Sequence, residues 1–224
     1  MKASETELIH QSLLQAGLLP LYNDDDPRNS VHVIQAAYRG GSRLFEFTNR
    51  STTALEVFRE ISPEIHATCP GIILGAGSIR NVDEAIAFHE LGAAFLVSPA
   101  LQEPVISYAI QHSCYVIPGA ATLTEVLRAQ QLGARLVKLF PAHLLGGPSF
   151  VSAIKAPCPD LLLMASGGVE NTESNLKEWF RAGVACVGMG SGLFRREMIA
   201  AKDWVGIEQA TRSAIANIQK VKNG

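Results

Sequence analysis

The chain has 224 residues, of which 47% are hydrophobic and 18% are charged, and its formal net charge at pH 7 is -2. A chain of this size can bury one large core, and its scattered basic residues give no electrostatic reason to expect nucleic acid or an anionic membrane as a partner. We therefore expect a small-molecule substrate. The four cysteines are far apart and none forms a Cys-x-x-Cys pair, so we expect reduced thiols, without a zinc site or a disulfide framework.

The N-terminal segment, residues 1–7, lacks the charged and then apolar pattern of a signal peptide. No apolar run approaches the roughly 18 residues that a membrane-spanning helix needs. These two features predict a cytoplasmic protein.

Short apolar runs alternate with helical stretches along the whole chain, which is typical of a parallel βα architecture. A helix is predicted first, over residues 4–16, where it could cover the floor of a barrel. The predicted strands are residues 18–23, 43–49, 72–77, 95–100, 115–120, 136–142, 161–168 and 185–191. Eight βα units predict an α/β fold in which residues 1–224 form a single (β/α)8 TIM barrel domain. An open doubly wound sheet is disfavoured because no Gly-x-Gly-x-x-Gly turn follows the first strand.

A lysine, Lys138, interrupts the apolar sixth strand, and a glutamate, Glu46, lies in the second strand. Side chains alternate along a strand, so Phe45 and Phe47 should face the outer helices while Glu46 faces the barrel interior. The second and sixth strands lie across the barrel from each other and contribute to the same interior layer. We therefore predict that Glu46 and Lys138 share one cavity.

Two interpretations of this pair stay open. Glu46 and Lys138 could form a structural ion pair that fills the barrel. Alternatively, a buried lysine with a depressed pKa is a nucleophile that forms Schiff bases with ketones, and a nearby carboxylate can move its protons. Arg50, just beyond the second strand, is either a solvated loop residue or a clamp for a substrate carboxylate, since its donors match two oxygens.

Glycines end the seventh and eighth strands, in Ser166-Gly167-Gly168 and Gly188-Met189-Gly190-Ser191-Gly192. Barrels commonly hold a phosphate group with backbone N–H groups of the loops after these two strands. Turns need glycine in any case, so the signal comes from both strand ends together. Gly75-Ala76-Gly77-Ser78 after the third strand has a simpler interpretation as a tight turn, with Ser78 capping the next helix.

Together these segments resemble the 2-keto-3-deoxy-6-phosphogluconate (KDPG) aldolase family, whose members often also act on 4-hydroxy-2-oxoglutarate (KHG). The most specific segments are the lysine strand followed by Phe-Pro and the Glu-x-x-x-Arg pattern of the second strand. The matching segments cover seven of the eight predicted strands and are Leu44–Arg50, Gly75–Ser78, Val97–Pro99, Ile117–Gly119, Val137–Ala142, Ser166–Gly168 and Val187–Ser191.

The resemblance implies a class I aldolase on a homotrimeric barrel, without metal or other cofactor, that acts on a phosphorylated 2-keto acid. It implies that Lys138 is the Schiff-base residue and that Glu46 is the acid/base. It implies substrate contacts for Arg50, Ser78, Pro99, Phe140 and Ser166. Of these, Arg50 and Ser78 are expected near the substrate carboxylate. Phosphate contacts are implied for Gly167, Gly168, Gly190 and Ser191.

The chain departs from the family pattern at several positions. Some relatives carry arginine at the end of strand one, where this chain has Tyr22-Asn23 and then the acidic run Asp24-Asp25-Asp26, which we interpret as a solvated loop before a helix. His143 replaces the family's glutamate after Phe-Pro-Ala, and we interpret it as a loop residue, although a histidine at the barrel mouth could titrate near neutral pH. Ser78 and Ser166 stand where threonine is common and keep the hydroxyl group.

The sequence therefore predicts cleavage of KDPG to pyruvate and glyceraldehyde 3-phosphate through a Schiff base. An alternative with the same chemistry is cleavage of KHG to pyruvate and glyoxylate, alone or as a second activity. A more distant alternative is a barrel that binds sugar phosphates without turnover. A metal-dependent phosphosugar epimerase has less support, because the strand ends offer no His/Asp ligand cluster.

Overall fold

The computed structural model describes residues 4–223, which form alternating strands and helices. The strand segments are β1 Leu18–Tyr22, β2 Leu44–Thr48, β3 Ile73–Gly77, β4 Phe95–Val97, β5 Tyr115–Ile117, β6 Gly119–Ala120, β7 Val137–Leu139, β8 Leu163–Ser166 and β9 Cys186–Met189. The helices are α1 Glu5–Ala16, α2 Pro27–Arg39, α3 Ala54–Thr68, α4 Val82–Glu90, α5 Glu103–Gln111, α6 Leu123–Gln131, α7 Pro148–Lys155, α8 Glu173–Ala182, α9 Arg196–Ala200 and α10 Trp204–Asn223.

All paired strands are parallel, and their order in the sheet is β5-β4-β3-β2-β1-β9-β8-β7-β6. β5 and β6 are two pieces of one predicted strand, separated at Pro118, which has no N–H to donate to a ladder. The carbonyl oxygen of Pro118 nevertheless accepts a hydrogen bond of 2.8 Å from the backbone N of Lys138. The two ends of the strand order, β5 and β6, thus belong to one predicted strand, which closes the sheet. The predicted (β/α)8 barrel is confirmed.

Every predicted strand overlaps an observed one, but most predicted strands extend too far. The sixth is the clearest case, since residues 136–142 were expected and only Val137–Leu139 form the strand. Beyond Leu139 the chain contains Pro141, which cannot donate to the ladder, and it turns into the loop before α7. The apolar run therefore continues past the last strand residue, although the backbone N–H groups of Phe140 and Ala142 still donate to the oxygens of Ala120 and Ser166.

α1 covers the floor of the barrel, as predicted. Ser4 accepts a hydrogen bond from the backbone N of Glu7 at the start of this helix, and Gly17 ends it with a φ of 65°. Ile9 and Leu13 are buried in a cluster with inward side chains of seven strands. Because apolar burial is the main stabilising term of folding, this cluster closes and stabilises one end of the barrel.

The two faces of the strands bury different sets of residues. Phe45 and Phe47 of β2 belong to the outer cluster between the strands and the helices, whereas Leu44 belongs to the inner cluster. Leu136, two residues before Lys138, is also in the inner cluster. The predicted alternation along the second and sixth strands therefore has the correct phase.

Polar side chains begin several helices. Asn81 accepts from the backbone N of Glu84 to cap α4, so the interpretation of Ser78 as the cap of this helix was wrong. Thr122 and Glu125 form a reciprocal capping box on α6. Within residues 4–223, no helix is both long enough and apolar enough to cross a membrane.

Candidate active site

Lys138 is the central residue of β7 and lies in the barrel interior. Its side chain is 5% exposed, and its Nζ atom lies 5.0 Å from the centroid of the Phe140 ring. On either side, the strand register pairs Lys138 with Gly119 and Met164. A buried ammonium is costly, and burial lowers the pKa of Lys138 below its ordinary value, with a further lowering by the positive charge of Arg50. The negative charge of Glu46 opposes both effects.

Glu46 is the middle residue of β2 and is 1% exposed. Its Oε2 atom is buried and has no hydrogen-bond partner among the described residues. Its carboxylate packs so closely on the backbone of Gly77 that a Cβ atom there would overlap Oε1. Burial raises the pKa of Glu46, while Lys138 and Arg50 both act to lower it. Glycine at position 77 is therefore what leaves room for the carboxylate.

Glu46 and Lys138 each shift the pKa of the other but do not form an ion pair. None of the ion pairs within 4.0 Å in residues 4–223 joins them. Burial shifts both groups toward their neutral forms, a protonated acid and a free amine. A group placed between them could exchange a proton with the carboxylate and react with the amine.

A cavity of about 380 Å³ opens at the carboxyl ends of β1, β8 and β9. Of the predicted site residues, seven line this cavity: Arg50, Phe140, Ser166, Gly167, Gly168, Gly190 and Ser191. Gly167 and Gly168 have φ angles of 91° and 75°, a conformation that residues with a Cβ rarely adopt. The Phe140 ring lines the cavity and also lies beside Lys138, so it connects the cavity with the buried lysine.

Four predicted site residues lie outside the lining of this cavity. Lys138 and Glu46 are buried in the barrel interior. Ser78 follows β3 and has a φ of 60°, which is unusual for a residue other than glycine. Pro99 follows β4, and its backbone packs against Gly119 so closely that no Cβ atom would fit there.

Three polar or charged residues in the lining were not predicted as site residues: Tyr22, Asn23 and Arg196. Asn23 accepts a 2.7 Å hydrogen bond from Thr48 Oγ1, and Tyr22 donates one of 2.7 Å to Asp24. The sequence identifies Tyr22 and Asn23 as a departure from the family pattern at the end of strand one but assigns them no role. Arg196 had no signal in the sequence, because its place depends on how the chain folds back after β9.

The acidic run Asp24–Asp26 and His143, both predicted to be loop residues, have structural roles. Asp26 accepts from the backbone N of Arg28 and caps α2, whose first residue is Pro27. His143 is exposed in the loop after β7, donates its backbone N–H to the Gly167 oxygen at 3.2 Å, and packs against Gly168. Both observations agree with the loop interpretations.

A larger groove of about 780 Å³ lies at the opposite end of the barrel, between α1, α8 and α10. None of the predicted site residues lines it. In the described part of the chain, no three His, Cys, Asp or Glu side chains come close enough together to hold a metal ion. The reactive groups therefore concentrate at the carboxyl ends of the strands, where the βα loops of such barrels build active sites.

Comparison with known proteins assigns this arrangement to a family. The model of the family described as KDPG and KHG aldolase matches residues 9–210. The chain belongs to the KDPG and KHG aldolase family. A 2-dehydro-3-deoxy-phosphogluconate aldolase of Treponema pallidum is 32% identical over 196 residues, which cover 88% of this chain and 90% of that protein.

Two further aldolases are similar to this chain. A 2-dehydro-3-deoxy-6-phosphogalactonate aldolase of Escherichia coli is 35% identical over 143 residues, which cover 60% of this chain and 68% of that protein. The crystal structure of the KDPG aldolase of Zymomonas mobilis with 3-phosphoglycerate is 25% identical and has a TM-score of 0.78, covering 93% of this chain and 95% of that one. The predicted family membership is confirmed.

Proposed function

We propose that the protein is a class I aldolase that cleaves KDPG to pyruvate and glyceraldehyde 3-phosphate through a Schiff base on Lys138. One observation carries this proposal: the amine of Lys138 and the carboxylate of Glu46 are buried in the same barrel interior, beside a cavity lined by glycines, and do not form an ion pair. We take residues 1–224 as the single domain that performs this chemistry.

The first step uses the free amine of Lys138, which attacks the C2 ketone of the substrate. The resulting carbinolamine loses water and becomes a protonated imine. Burial and the charge of Arg50 both lower the pKa of Lys138, so a larger fraction of the amine is neutral at a given pH. Because the amine and not the ammonium is the nucleophile, these two effects favour attack.

The second step uses Glu46 as acid and then as base. Its raised pKa makes the protonated acid available to the carbinolamine hydroxyl as water leaves. The carboxylate then takes the C4 hydroxyl proton, the C3–C4 bond breaks, and its electron pair moves toward the imine nitrogen. Glyceraldehyde 3-phosphate leaves, the enamine gains a proton at C3, and water hydrolyses the pyruvate imine to regenerate Lys138.

The two ends of KDPG are both anionic, and the site offers partners for both. We assign the carboxylate to Arg50, which lines the cavity two residues beyond β2, the strand that carries Glu46, and whose positive charge lowers the pKa of both Glu46 and Lys138. We assign the phosphate to backbone N–H groups of Gly167, Gly168, Gly190 and Ser191. Ser78, Pro99, Phe140 and Ser166 remain proposed substrate contacts.

The resemblance to the family extends the proposal to assembly and pathway. We propose that the protein forms a homotrimer and that it performs the cleavage step of the Entner–Doudoroff route. Sedimentation equilibrium on the purified protein tests the first statement. A dimer or monomer at micromolar concentration would contradict it.

Other substrates share this chemistry. KHG gives the same pyruvate enamine but glyoxylate as the aldehyde, and the family description includes it. The 35% identity to the phosphogalactonate enzyme favours a second candidate, cleavage of the C4 epimer of KDPG. Pyruvate release from the three keto acids, measured side by side as kcat/KM, ranks them, and a higher value for KHG would overturn the proposed preference.

Borohydride reduction tests the mechanism itself. We expect incubation with pyruvate and borohydride to attach pyruvate covalently to Lys138, as located by peptide mass mapping. Lys138→Met should abolish the adduct, whereas Lys177→Met, which removes an exposed lysine of α8, should leave it unchanged. A barrel that binds sugar phosphates without turnover would give no adduct, and that result would end the aldolase proposal.

A further inference from the structure

Arg196 is a cation in the cavity lining that the proposed mechanism does not use. It begins α9, six residues after Gly190, and it takes part in none of the ion pairs of residues 4–223. We propose that the guanidinium of Arg196 binds the substrate phosphate and gives this enzyme its preference for phosphorylated over unphosphorylated keto acids. This inference rests on the proposed function, since it names the residue that selects among substrates of the same site.

Buried neighbours on both sides fix the backbone at Arg196. Phe194 is 4% exposed, and its ring lies 5.8 Å from the Tyr22 ring and 5.9 Å from the Phe45 ring, measured between centroids. Its backbone N donates 2.8 Å to the Gly190 oxygen, so the chain folds back toward the cavity directly after β9. Met198, two residues beyond Arg196, is buried again. A cation on a backbone fixed in this way loses less conformational freedom on binding than one on a loose loop.

Arg195 gives an internal comparison. It directly precedes Arg196, is exposed like Arg196, and does not line the cavity. Both side chains carry the same charge on adjacent residues, so they contribute almost equally to the long-range field of the protein. A difference between them in substrate selection would therefore come from direct contact with the bound ligand.

Each of the two arginines in the lining can bind one of the two anionic groups of the substrate. Arg50 lines the cavity two residues beyond β2, the strand that carries Glu46, and its charge lowers the pKa of both Glu46 and Lys138, so we assign it to the reacting end. Arg196 follows β9 and lines the cavity beside the glycine segments that we assign to the phosphate. Among the described residues that line the cavity there is no carboxylate to compete with a bound anion.

Backbone N–H groups can donate hydrogen bonds to a phosphate, but they carry no net charge. A guanidinium adds charge and a planar pair of donors that match two phosphate oxygens. The end of strand one carries Tyr22 and Asn23, which line the cavity and have no charged side chain. Arg196 follows β9, the neighbour of β1 in the sheet, and places a positive charge in the same lining.

The test compares Arg196→Gln with Arg195→Gln on KDPG and on 2-keto-3-deoxygluconate, which has the same carbon chain without the phosphate. We expect Arg196→Gln to lower kcat/KM for KDPG about 10- to 100-fold, mostly through KM, because a charge-assisted hydrogen bond is lost. Its kcat/KM for 2-keto-3-deoxygluconate should change less than about twofold, as should both values for Arg195→Gln. The effect on KDPG should also shrink as ionic strength rises.

A second variant and a binding probe keep the inference testable on its own. Arg196→Lys retains the charge but loses the planar pair of donors, so it should recover part of the KDPG preference. If Arg196 were needed only for folding, its variants would instead show reduced activity on both substrates. Calorimetry with 3-phosphoglycerate should show about tenfold weaker binding to Arg196→Gln than to wild type or Arg195→Gln. If the wild type cleaves neither keto acid but this difference in binding holds, the proposed function fails and the phosphate contact stands. Equal selectivity of Arg196→Gln and Arg195→Gln would overturn the inference while leaving the aldolase proposal intact.

Discussion

The floor and the mouth of the barrel interior are built by the same strands but from different residues. At the floor, Leu44, Leu136 and Met164 point inward and pack with α1 in an apolar cluster. One inward position further along the same strands, these residues give way to Glu46, Lys138 and Ser166, all of them buried. A step of two residues therefore separates the part of the interior that stabilises the fold from the part that can react.

The two regions differ in how well their groups are satisfied. The floor contains one buried histidine, and His10 Nδ1 has a partner 2.7 Å away in the hydroxyl of Tyr115. At the mouth, Glu46 Oε2 is buried without a partner, and Lys138 has no ion pair among residues 4–223. Unsatisfied buried groups are unfavourable for folding. The comparison indicates that the mouth is arranged for a ligand and the floor for stability, and each prediction below separates activity from stability.

Replacing the buried lysine should give the largest effect. We expect Lys138→Met to lower kcat by more than about 1,000-fold, because the covalent nucleophile is gone. Its free energy of unfolding should stay unchanged or rise by roughly 1–4 kcal/mol, since an unpaired buried amine is replaced by an apolar side chain of similar length. Pyruvate release and urea unfolding measure the two quantities. A strong loss of stability would mean that Lys138 supports the fold.

At the floor the reverse pattern is expected for Leu13, which α1 buries completely. Leu13→Ala should lower the free energy of unfolding by about 2–5 kcal/mol through lost burial and a cavity. The kcat of the folded enzyme should stay within about twofold of wild type. Leu8→Ala on the same helix is the control, because Leu8 is 56% exposed and its loss should change stability by less than about 0.5 kcal/mol. A fall in kcat for the folded Leu13 variant would show that the floor and the mouth are coupled.

Two glycines of β3 allow the comparison to be made within one strand. A methyl group at Gly75 would overlap the Phe95 ring of the floor, whereas one at Gly77 would overlap the Glu46 carboxylate. We expect Gly75→Ala to destabilise the protein by about 1–3 kcal/mol through overpacking, with kcat retained. Gly77→Ala should lower kcat roughly 100-fold, because a displacement of about 1 Å in a catalytic group has an effect of that size.

Thermal unfolding and steady-state kinetics on the two glycine variants decide the outcome. Equal effects on stability and on kcat in both variants would remove the distinction between the two levels. An unchanged kcat in Gly77→Ala would show that the position of Glu46 is not critical for turnover.

Much of this arrangement could be read from the sequence because it follows from alternation along strands. The phase of β2 and β7 decides which side chains face inward, so Glu46 and Lys138 could be placed in the interior before any coordinates were known. The glycine strand ends at Gly167 and Gly190 likewise follow from local sequence and from the order of the strands. The family assignment came from the same segments and is confirmed by the match over residues 9–210.

Other features depend on contacts between distant parts of the chain. Arg196 reaches the cavity because Phe194 packs against Tyr22 and Phe45, and no local pattern reports such packing. The end of β7 could not be located, since Phe140 continues the apolar run after the last strand residue, Leu139. The gap between Glu46 and Lys138 also could not be foreseen, because alternation gives the direction of a side chain but not the distance between two of them.

The smallest predicted effect concerns the pH at which the amine at the mouth becomes reactive. Arg50 lowers the pKa of Lys138, because its positive charge disfavours a second positive charge nearby. In Arg50→Gln this repulsion is absent, so the pKa of Lys138 should rise and a smaller fraction of the amine should be neutral at a given pH. The pH profile of imine formation should therefore move to higher pH.

A neutral aldehyde trapped with cyanoborohydride is the suitable probe for this shift, because it has no carboxylate and does not need Arg50 for binding. The rate of labelling at Lys138, followed by mass spectrometry across pH, should show the displaced profile in Arg50→Gln and the wild-type profile in Arg195→Gln. A shift toward lower pH in Arg50→Gln would mean that loss of the guanidinium changes the surroundings of Lys138 by more than its charge. An unchanged profile would place Arg50 too far from Lys138 to act on it, and would remove the reason for assigning the substrate carboxylate to this arginine.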